Sequence, residues 1–596
     1  MCGFIVSTGS LPSTFHRNFV LDSIKNRGPD MRREFYLEED KIWFGFQRLS
    51  INDLSDNGMQ PMHYKNRYTT VFNGEIYNFK KIKKTLINLG HSFISQTDTE
   101  VLLASYDEWG EEMLKKIEGM FAFVIWDNLK KNFFIAKDSI GQKPIFYYFK
   151  NNKLIIASNL NAIKKILNYA VDLNKNALSY YLSMGYIPSD TCIWNDINTL
   201  DAGNTLSISY KKQKFLKISK NQYWQLKDFK KNDDNLNDSF EDVFSTICNE
   251  HTNSDVPIGL ALSGGLDSNT ILNQIKEVKD LKAFSIGYND KNIDETNYAN
   301  KITKKLSVNL KTKILENNSE LQEAEEFVCK ASYQPQGYSS LIPFFLLSKF
   351  ASKFNKVLLT GDGGDEIFLG YDWYKKDTNI KKFKNFLKHV LLNNSIEVKF
   401  NEIKKRSIFH NHIINLFPRF LPSEIDNILN LKYKFDYSNI IQMYKKQFSD
   451  EMPLHTNLQM IDLNNFTKDH ICSKTDNMSM YNSLEVRAPF LDRRMISWAL
   501  NQSSKNIESI KNKKILKNYL QKNNLLNYLN KKKQGFSLKI KNTNLIDKIK
   551  FISNSKLIKE GYLNKQIIDL LHEDKNLYSE ARIKTCWNLA KWYEYQ

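Results

Sequence analysis

Four groups of residues carry side chains whose types and spacing suit chemistry. The first is Cys2, which precedes Gly3 near the start of the sequence. Removal of Met1 would leave its thiol beside its own α-amine, a base that titrates at about 7.7–8.0. The second is a series of polar motifs: Arg27-Gly28-Pro29-Asp30, Gln47-Arg48-Leu49-Ser50-Ile51, Asn73-Gly74-Glu75 and Thr97-Asp98-Thr99-Glu100. A guanidinium such as that of Arg48 grips a carboxylate through two parallel bonds, a geometry that lysine cannot copy. Arginine supplies only 12 of the 85 basic residues, yet Arg27 and Arg48 both fall inside these motifs. The third group is Ser263-Gly264-Gly265-Leu266-Asp267-Ser268, directly behind the apolar run Ile-Gly-Leu-Ala-Leu at 258–262. A strand, a glycine turn and a helix start bring backbone N–H groups to phosphate oxygens. A carboxylate there, Asp267, suits Mg²⁺ on a departing pyrophosphate. The fourth is Thr360-Gly361-Asp362-Gly363-Gly364-Asp365-Glu366, followed by Phe368-Leu369-Gly370-Tyr371. Three carboxylates among glycines call for a cation nearby.

Plainer readings exist for each motif alone. Arg48 also suits a surface ion pair, Asn73-Gly74 a hairpin turn, Asp98 a helix cap, and 360–366 a solvated acidic turn. Their joint occurrence in this order favours chemistry.

The elements that must position them follow from the apolar patterns. Up to about residue 200 the chain reads as short strands between turns, among them 121–127, 133–138, 145–149 and 154–158. Helices are predicted over 79–89 and 98–116, the latter capped at Thr97. The polar, charged stretch 210–240 reads as a linker. Beyond it a helix at 239–250 precedes the apolar run 258–262, and further buried strands fall at 282–288 and 356–361 with helices between. That alternation predicts a parallel α/β sheet, whose ligands bind at the carboxyl ends of the strands. From 375 to the end the chain reads as largely helical.

With these motifs in view, the N-terminal part resembles the class II glutamine amidotransferase domain. Ser263–Ser268 resembles the PP-loop of ATP pyrophosphatases, not a Walker P-loop, which needs Gly-Lys-Ser/Thr. Lys474-Thr475-Asp476-Asn477-Met478-Ser479-Met480 and the run from Ser483 to Asp492, with Glu485-Val486-Arg487 at its centre, complete a resemblance to the glutamine-hydrolysing asparagine synthetase family. Gly535-Phe536 also fits that family's C-terminal segment. The resemblance covers about 1–370 and 465–545, while 375–460 carries no recognised motif.

The resemblance implies an N-terminal-nucleophile αββα sandwich over 1–205, a linker at 206–238, and a parallel-sheet α/β PP-loop domain with a largely helical C-terminal part over 239–596. It implies Cys2 as nucleophile, Arg48 on the α-carboxylate of glutamine, Glu75 and Asp98 on its α-ammonium, and Asn73 with Gly74 as oxyanion hole. Leu49, Ser50, Ile51 and Asn52 would line the same pocket. ATP would lie against Leu262, Ser263, Gly264, Gly265, Asp267, Ser268, Ile286, Thr360 and Gly361, with Mg²⁺ on Asp267 and Asp365. Asp362 would act on an acyl-adenylate and Lys513 on the transition state that forms it, with Lys514 as the rival by a one-residue slip. Departures from the family pattern are Gln47 for a common His, Lys137-Asp138 for Arg-Asp before Gly141-Gln142-Lys143-Pro144, Asp362 for Glu, and Asn477 for Arg.

Substrates implied are glutamine, ATP and aspartate. Amidation of another carboxylate, on a sugar acid or peptide, is the alternative, as is a catalytically idle homologue. The oligomeric state stays open, with a homodimer as the one candidate. The net charge of +19 comes from lysines spread over the whole sequence without a nucleic-acid-binding motif, so no nucleic-acid partner is expected. No run of eighteen apolar residues suggests a membrane span, and the start does not read as a signal peptide. Six scattered cysteines without metal-ligand spacing suit reduced thiols in a cytoplasm.

Overall fold

The computed structural model describes residues 2–169, 171–229, 237–288, 294–315, 318–371, 451–529, 544–573 and 579–596, with short pieces between 374 and 449. Gly535-Phe536 and most of 375–460 lie outside the described residues.

Two six-stranded antiparallel sheets form the front of the molecule. In the first, Gly3–Thr8 lies between Lys153–Ala157 and Ile42–Arg48, with Gly3 opposite Gln47 and Thr8 opposite Ile42. In the second, Tyr68–Ile76 pairs with Gly119–Asp127, with Asn73 opposite Ala122. Phe4 and Val6 of one sheet meet Val71, Val124 and Trp126 of the other in a single apolar layer. Helices Phe79–Asn88 and Asp98–Trp109 cover the outer face of the second sheet, and Thr14–Asp22 and Leu160–Leu167 cover the first. This is the expected αββα sandwich. The strand Gly119–Asp127 is buried along almost its whole length because one of its faces meets the other sheet and the opposite face meets helices.

Two predicted elements differ. The helix expected over 98–116 ends at Trp109, where Gly110 (φ 56°) breaks it, and continues as a 3₁₀ segment, Gly110–Lys115. The polar stretch read as linker is, over its first part, a hairpin: Asn204–Lys211 and Lys214–Gln222 pair on the edge of the second sheet. The outer strand has most of its side chains in water, so its composition mimics a loop.

Behind the sandwich stands a five-stranded parallel sheet in the order Asn309–Leu315, Lys282–Tyr288, Ile258–Ala261, Val357–Leu359, Glu485–Arg487. Helices Phe240–His251 and Leu266–Ile275 pack on one face, and Leu341–Ala351 packs on the other. The described C-terminal part is largely helical, including a π-helical stretch, Leu463–Cys472, inside a long helical segment. Leu49, Ile51, Tyr77, Met120 and Ile140 of the front half join the core of the parallel-sheet half, so one apolar seam binds the two. Among the described residues no helix is long and apolar enough to cross a membrane, and no group of three or more His, Cys, Asp or Glu is placed to hold a metal. All six cysteines are free and buried.

Candidate active sites

The front site forms where the start of Gly3–Thr8 in the first sheet meets Tyr68–Ile76 of the second. The backbone N–H of Cys2 donates to Asn73 Oδ1 at 3.1 Å. This bond fixes which way the Asn73 amide points, and leaves its buried Nδ2 without a partner. A buried donor without an acceptor costs about 1–3 kcal/mol, so its retention points to a ligand oxygen. Gly74 supplies a second donor by strand geometry. Antiparallel pairs alternate in bonding. Tyr77 N–H bonds to Glu118 O, and both backbone groups of Phe121 are taken by Asp138, so Gly74 N–H faces away from that neighbour. The strand on the other side, Met62–Tyr64, stops short, with Met62 opposite Thr70. A Cβ on Gly74 would fall on the Met120 carbonyl, so only glycine fits there.

The Cys2 thiol is raised above its ordinary value by burial, against the pull of the Leu49 N–H and Arg48. Arg48 is held in a ring of carbonyls: it donates to Ser55 O at 2.7 Å, to Asn52 O at 3.3 Å and to Asp53 O. Gly58 packs against the guanidinium and has no room for a side chain. Asp30 accepts from Ser50 N–H at 2.7 Å and so orders the segment that carries Leu49 to Asn52. Asn52 Nδ2 in turn donates to Glu75 Oε1 at 2.6 Å. Asp98, at a helix start, accepts from Ile76 N–H at 2.9 Å, and burial pushes its carboxyl up to about 6. Glu75 is also pushed well above the usual range, first by burial, although Arg487 opposes the shift. These contacts gather Cys2, Arg48, Asn73, Gly74, Glu75 and Asp98 into one largely buried cluster. Leu49 and Ile51 turn into the apolar seam beside it.

The rear site sits at the carboxyl ends of the parallel strands. Leu262 N–H bonds to Phe284 O at 2.8 Å, extending the sheet up to the glycine turn. Ser263 Oγ accepts from Gly265 N–H at 3.1 Å, and Ser268 Oγ accepts from Ser263 N–H at 3.2 Å, winding the turn onto the start of Leu266–Ile275. Asn269 ties it down through Ser263 O and Gly265 O. Glu295, which no motif marked, accepts from Gly264 N–H at 3.1 Å. A Cβ on Gly361 or Gly364 would press on Asp267, so both glycines let the acidic loop close over it. Lys513 bridges the carboxylates of Asp267 and Asp365, the latter at 2.6 Å. Lys513 has a left-handed backbone (φ 58°) that starts the helix Lys514–Lys522, and its side chain is buried while Lys514 is exposed. Asp362 accepts from Thr360 Oγ1 at 2.9 Å and from Thr475 Oγ1 at 3.2 Å. Ile286 is buried in the neighbouring strand.

The two sites are joined by one helix, Ser473–Met480. Thr475 touches Asp362, while Asp476, the next residue, takes the Arg27 guanidinium through two bonds of 2.7 and 3.1 Å. Arg27 Nε donates to the Cys2 carbonyl at 3.2 Å. A small cavity of about 20 Å³ lies beside this helix, lined by Gln142, Lys143, Asp362, Thr475, Asp476 and Val486. It shares Gln142, Cys472 and Asp476 with a second cavity of about 60 Å³ at the same seam, which Lys137 and Lys468 also line. Asn477 accepts from Tyr333 N–H at 3.0 Å, and Gln47 donates to Leu21 O, so these two of the four departures from the family pattern have structural partners. Sequence reasoning missed the bond partners of Arg27. Its scarcity in a lysine-rich chain was the only signal.

Comparison with known proteins agrees with this division. The profile of the family described as "Glutamine amidotransferase domain" matches residues 1–224, and that described as "Asparagine synthase" matches residues 239–594. Asparagine synthetase (glutamine-hydrolyzing) 1 of Bacillus subtilis strain 168 is 29% identical over 604 residues, spanning 96% of this chain and 93% of its own. A putative asparagine synthetase (glutamine-hydrolyzing) 2 of Methanocaldococcus jannaschii is 34% identical over 424 residues, 65% of this chain and 80% of its own. Among solved structures, glutamine phosphoribosylpyrophosphate amidotransferase of B. subtilis covers 54% of this chain and 67% of its own, at 13% identity and a TM-score of 0.28, a likeness too slight to bear on function.

Proposed function

Since the chain belongs to the asparagine synthase family and carries a glutamine amidotransferase domain ahead of the synthase region, we propose that it makes asparagine from aspartate, glutamine and ATP. The observation that carries this reading is the helix Ser473–Met480, whose adjacent residues Thr475 and Asp476 reach one site each, with a cavity alongside.

In the front pocket Cys2 attacks the side-chain amide of glutamine. Burial disfavours its thiolate, so the thiol needs a base, and the α-amine freed by loss of Met1 supplies one. That amine takes the thiol proton and returns it to the leaving ammonia. Asn73 Nδ2 and Gly74 N–H hold the oxyanion as the γ-glutamyl thioester forms. Water then releases glutamate. Arg48 holds the α-carboxylate, and Glu75 with Asp98 holds the α-ammonium. Ammonia passes along the cavity beside Asp476 toward Asp362, screened from bulk water and hence from protonation.

In the rear site the aspartate β-carboxylate attacks the α-phosphorus of ATP and pyrophosphate departs, giving β-aspartyl-AMP. Ammonia attacks the acyl carbon, and AMP leaves as the amide forms. The glycine turn 263–268 presents N–H groups to phosphate oxygens. Asp267 and Asp365 converge on a single cationic atom, Lys513 Nζ, and two hard oxygen donors on one point also fit Mg²⁺. When bound there, Mg²⁺ would offset charge on the pyrophosphate. Lys513, held beside Asp267 and Asp365, would add its positive charge to the phosphate side of the site. Thr360 and Thr475 hold Asp362 at the mouth of the cavity, where it orients incoming ammonia.

Mass analysis of products from glutamine, ATP and aspartate tests the proposal. Asparagine, glutamate, AMP and pyrophosphate in equal amounts are expected. An amide formed only on a different carboxylate would overturn the choice of acceptor, and ADP in place of AMP would overturn the chemistry of the rear site.

A further inference from the structure

The front pocket is not finished by the front half. Glu75, Asp98 and Glu485 stand together around the proposed ammonium position, three buried carboxylates in a small volume. The cation that faces them is Arg487, fully buried on the last strand of the parallel sheet. Its Nη2 lies 3.2 Å from Glu75 Oε2, and its Nε donates to Glu485 Oε1 at 2.7 Å. Its Nη1 donates to His251 O at 2.9 Å and to Asn253 O at 2.7 Å, so the guanidinium cannot swing away. The Tyr77 ring lies under it with centroid 5.8 Å from Cζ, and stacks on His251 at 3.7 Å. The main chain of Arg487 is fixed as well: its carbonyl accepts from Thr360 N–H at 2.9 Å.

Resting on the glutamine pocket assigned above, we propose that Arg487 is a positioning residue for glutamine, supplied by the rear half, which holds Glu75 in place as an acceptor for the substrate's α-ammonium. A carboxylate beside two others in a buried site does not keep its charge without a compensating cation. Burial already drives Glu75 toward its neutral form, and Arg487 is the first influence opposing that drive. A neutral Glu75 would bind a cationic group poorly. The effect falls on substrate binding, because Arg487 touches neither Cys2 nor Asn73 in any bond described above.

The test uses the full-length enzyme. Arg487→Met is expected to raise KM for glutamine at least tenfold while kcat of glutamine hydrolysis falls less than threefold. Ammonia-dependent synthesis, which needs no glutamine, reports whether the variant has folded. If the methionine variant lacks it, Arg487→Lys is read instead, with a KM for glutamine raised above that of wild type by less than tenfold, since it keeps charge but not the fork. Adding Glu75→Gln to either variant should leave KM close to that of Glu75→Gln alone, because Arg487 acts through Glu75. An unchanged KM in a folded variant, a loss confined to kcat, or effects that multiply in the double variant would each overturn the proposal. A wild-type enzyme unable to hydrolyse glutamine would instead sink the pocket assignment on which it rests.

Discussion

The two candidate sites differ in how far they rely on fixed backbone bonds and how far on a distant cation. In the front pocket three functional groups are set by backbone bonds, Arg48 by the carbonyls of 52, 53 and 55, Asp98 by Ile76 N–H, and Asn73 by Cys2 N–H, while Glu75 is held by the side chains of Asn52 and Arg487. One donor, Asn73 Nδ2, is left unsatisfied. In the rear site Asp267 and Asp365 are bridged by Lys513, a side chain from far along the chain. The first arrangement is shaped beforehand to oppose charge that appears only during reaction. The second holds its charges in a resting pairing before nucleotide arrives. The difference teaches where each half is vulnerable: the oxyanion side of the front pocket to loss of a single fixed atom, and the rear site, like the Glu75 corner of the front one, to loss of a distant cation.

Substitutions that separate the halves test this contrast most strongly. Cys2→Ala should lower glutamine hydrolysis by about 10⁴-fold or more while ammonia-dependent synthesis stays within threefold of wild type, as both steady-state assays will show. Persistent hydrolysis would mean that Cys2 is not the nucleophile. Asp267→Ala should cut pyrophosphate release by about 10³-fold and leave glutaminase activity intact. Pyrophosphate production at the wild-type rate would break the rear half of the comparison. Asn73→Ala should cost about 10²–10³-fold in kcat for glutamine with little change in KM, as expected for an oxyanion donor. A loss in KM alone would make Asn73 a ground-state contact. A pH titration sharpens the picture further. Asp98 is raised to about 6 by burial, and it holds a cation only when charged. KM for glutamine should therefore rise by about tenfold as pH falls from 7 to 5, and Asp98→Asn should flatten that dependence. The smallest effect expected is that of Asp362→Glu. The longer side chain restores the reach usual in the family, so synthesis should be kept or raised, within about threefold. Total loss would show that Asp362 has a different role.

The sandwich strands were legible because burial on both faces writes continuous apolar runs such as 121–127. The hairpin over 204–222 was not, because an edge strand facing water has the composition of a loop. The parallel strand Glu485–Arg487 is three residues long and shows no periodicity of its own. Its residues were noticed as a motif, with no strand inferred. Nor could spacing decide between Lys513 and Lys514. That choice rests on two consecutive left-handed residues, Asn512 and Lys513, which turn one side chain inward and the next outward. Contacts across the seam, such as Arg27 with Asp476 and Arg487 with Glu75, depend on how one half docks on the other, and no local pattern encodes that.

The account stands on nitrogen travelling inside the molecule from the front pocket to the rear one. Glutamine labelled with ¹⁵N in its side-chain amide, turned over with ATP and aspartate in excess unlabelled ammonium at a pH where free ammonia is scarce, measures this directly. Mass analysis should find the label retained in nearly every asparagine formed from glutamine. Label diluted in proportion to the external ammonium would mean that ammonia equilibrates with solvent, and the claim of an internal passage would be contradicted.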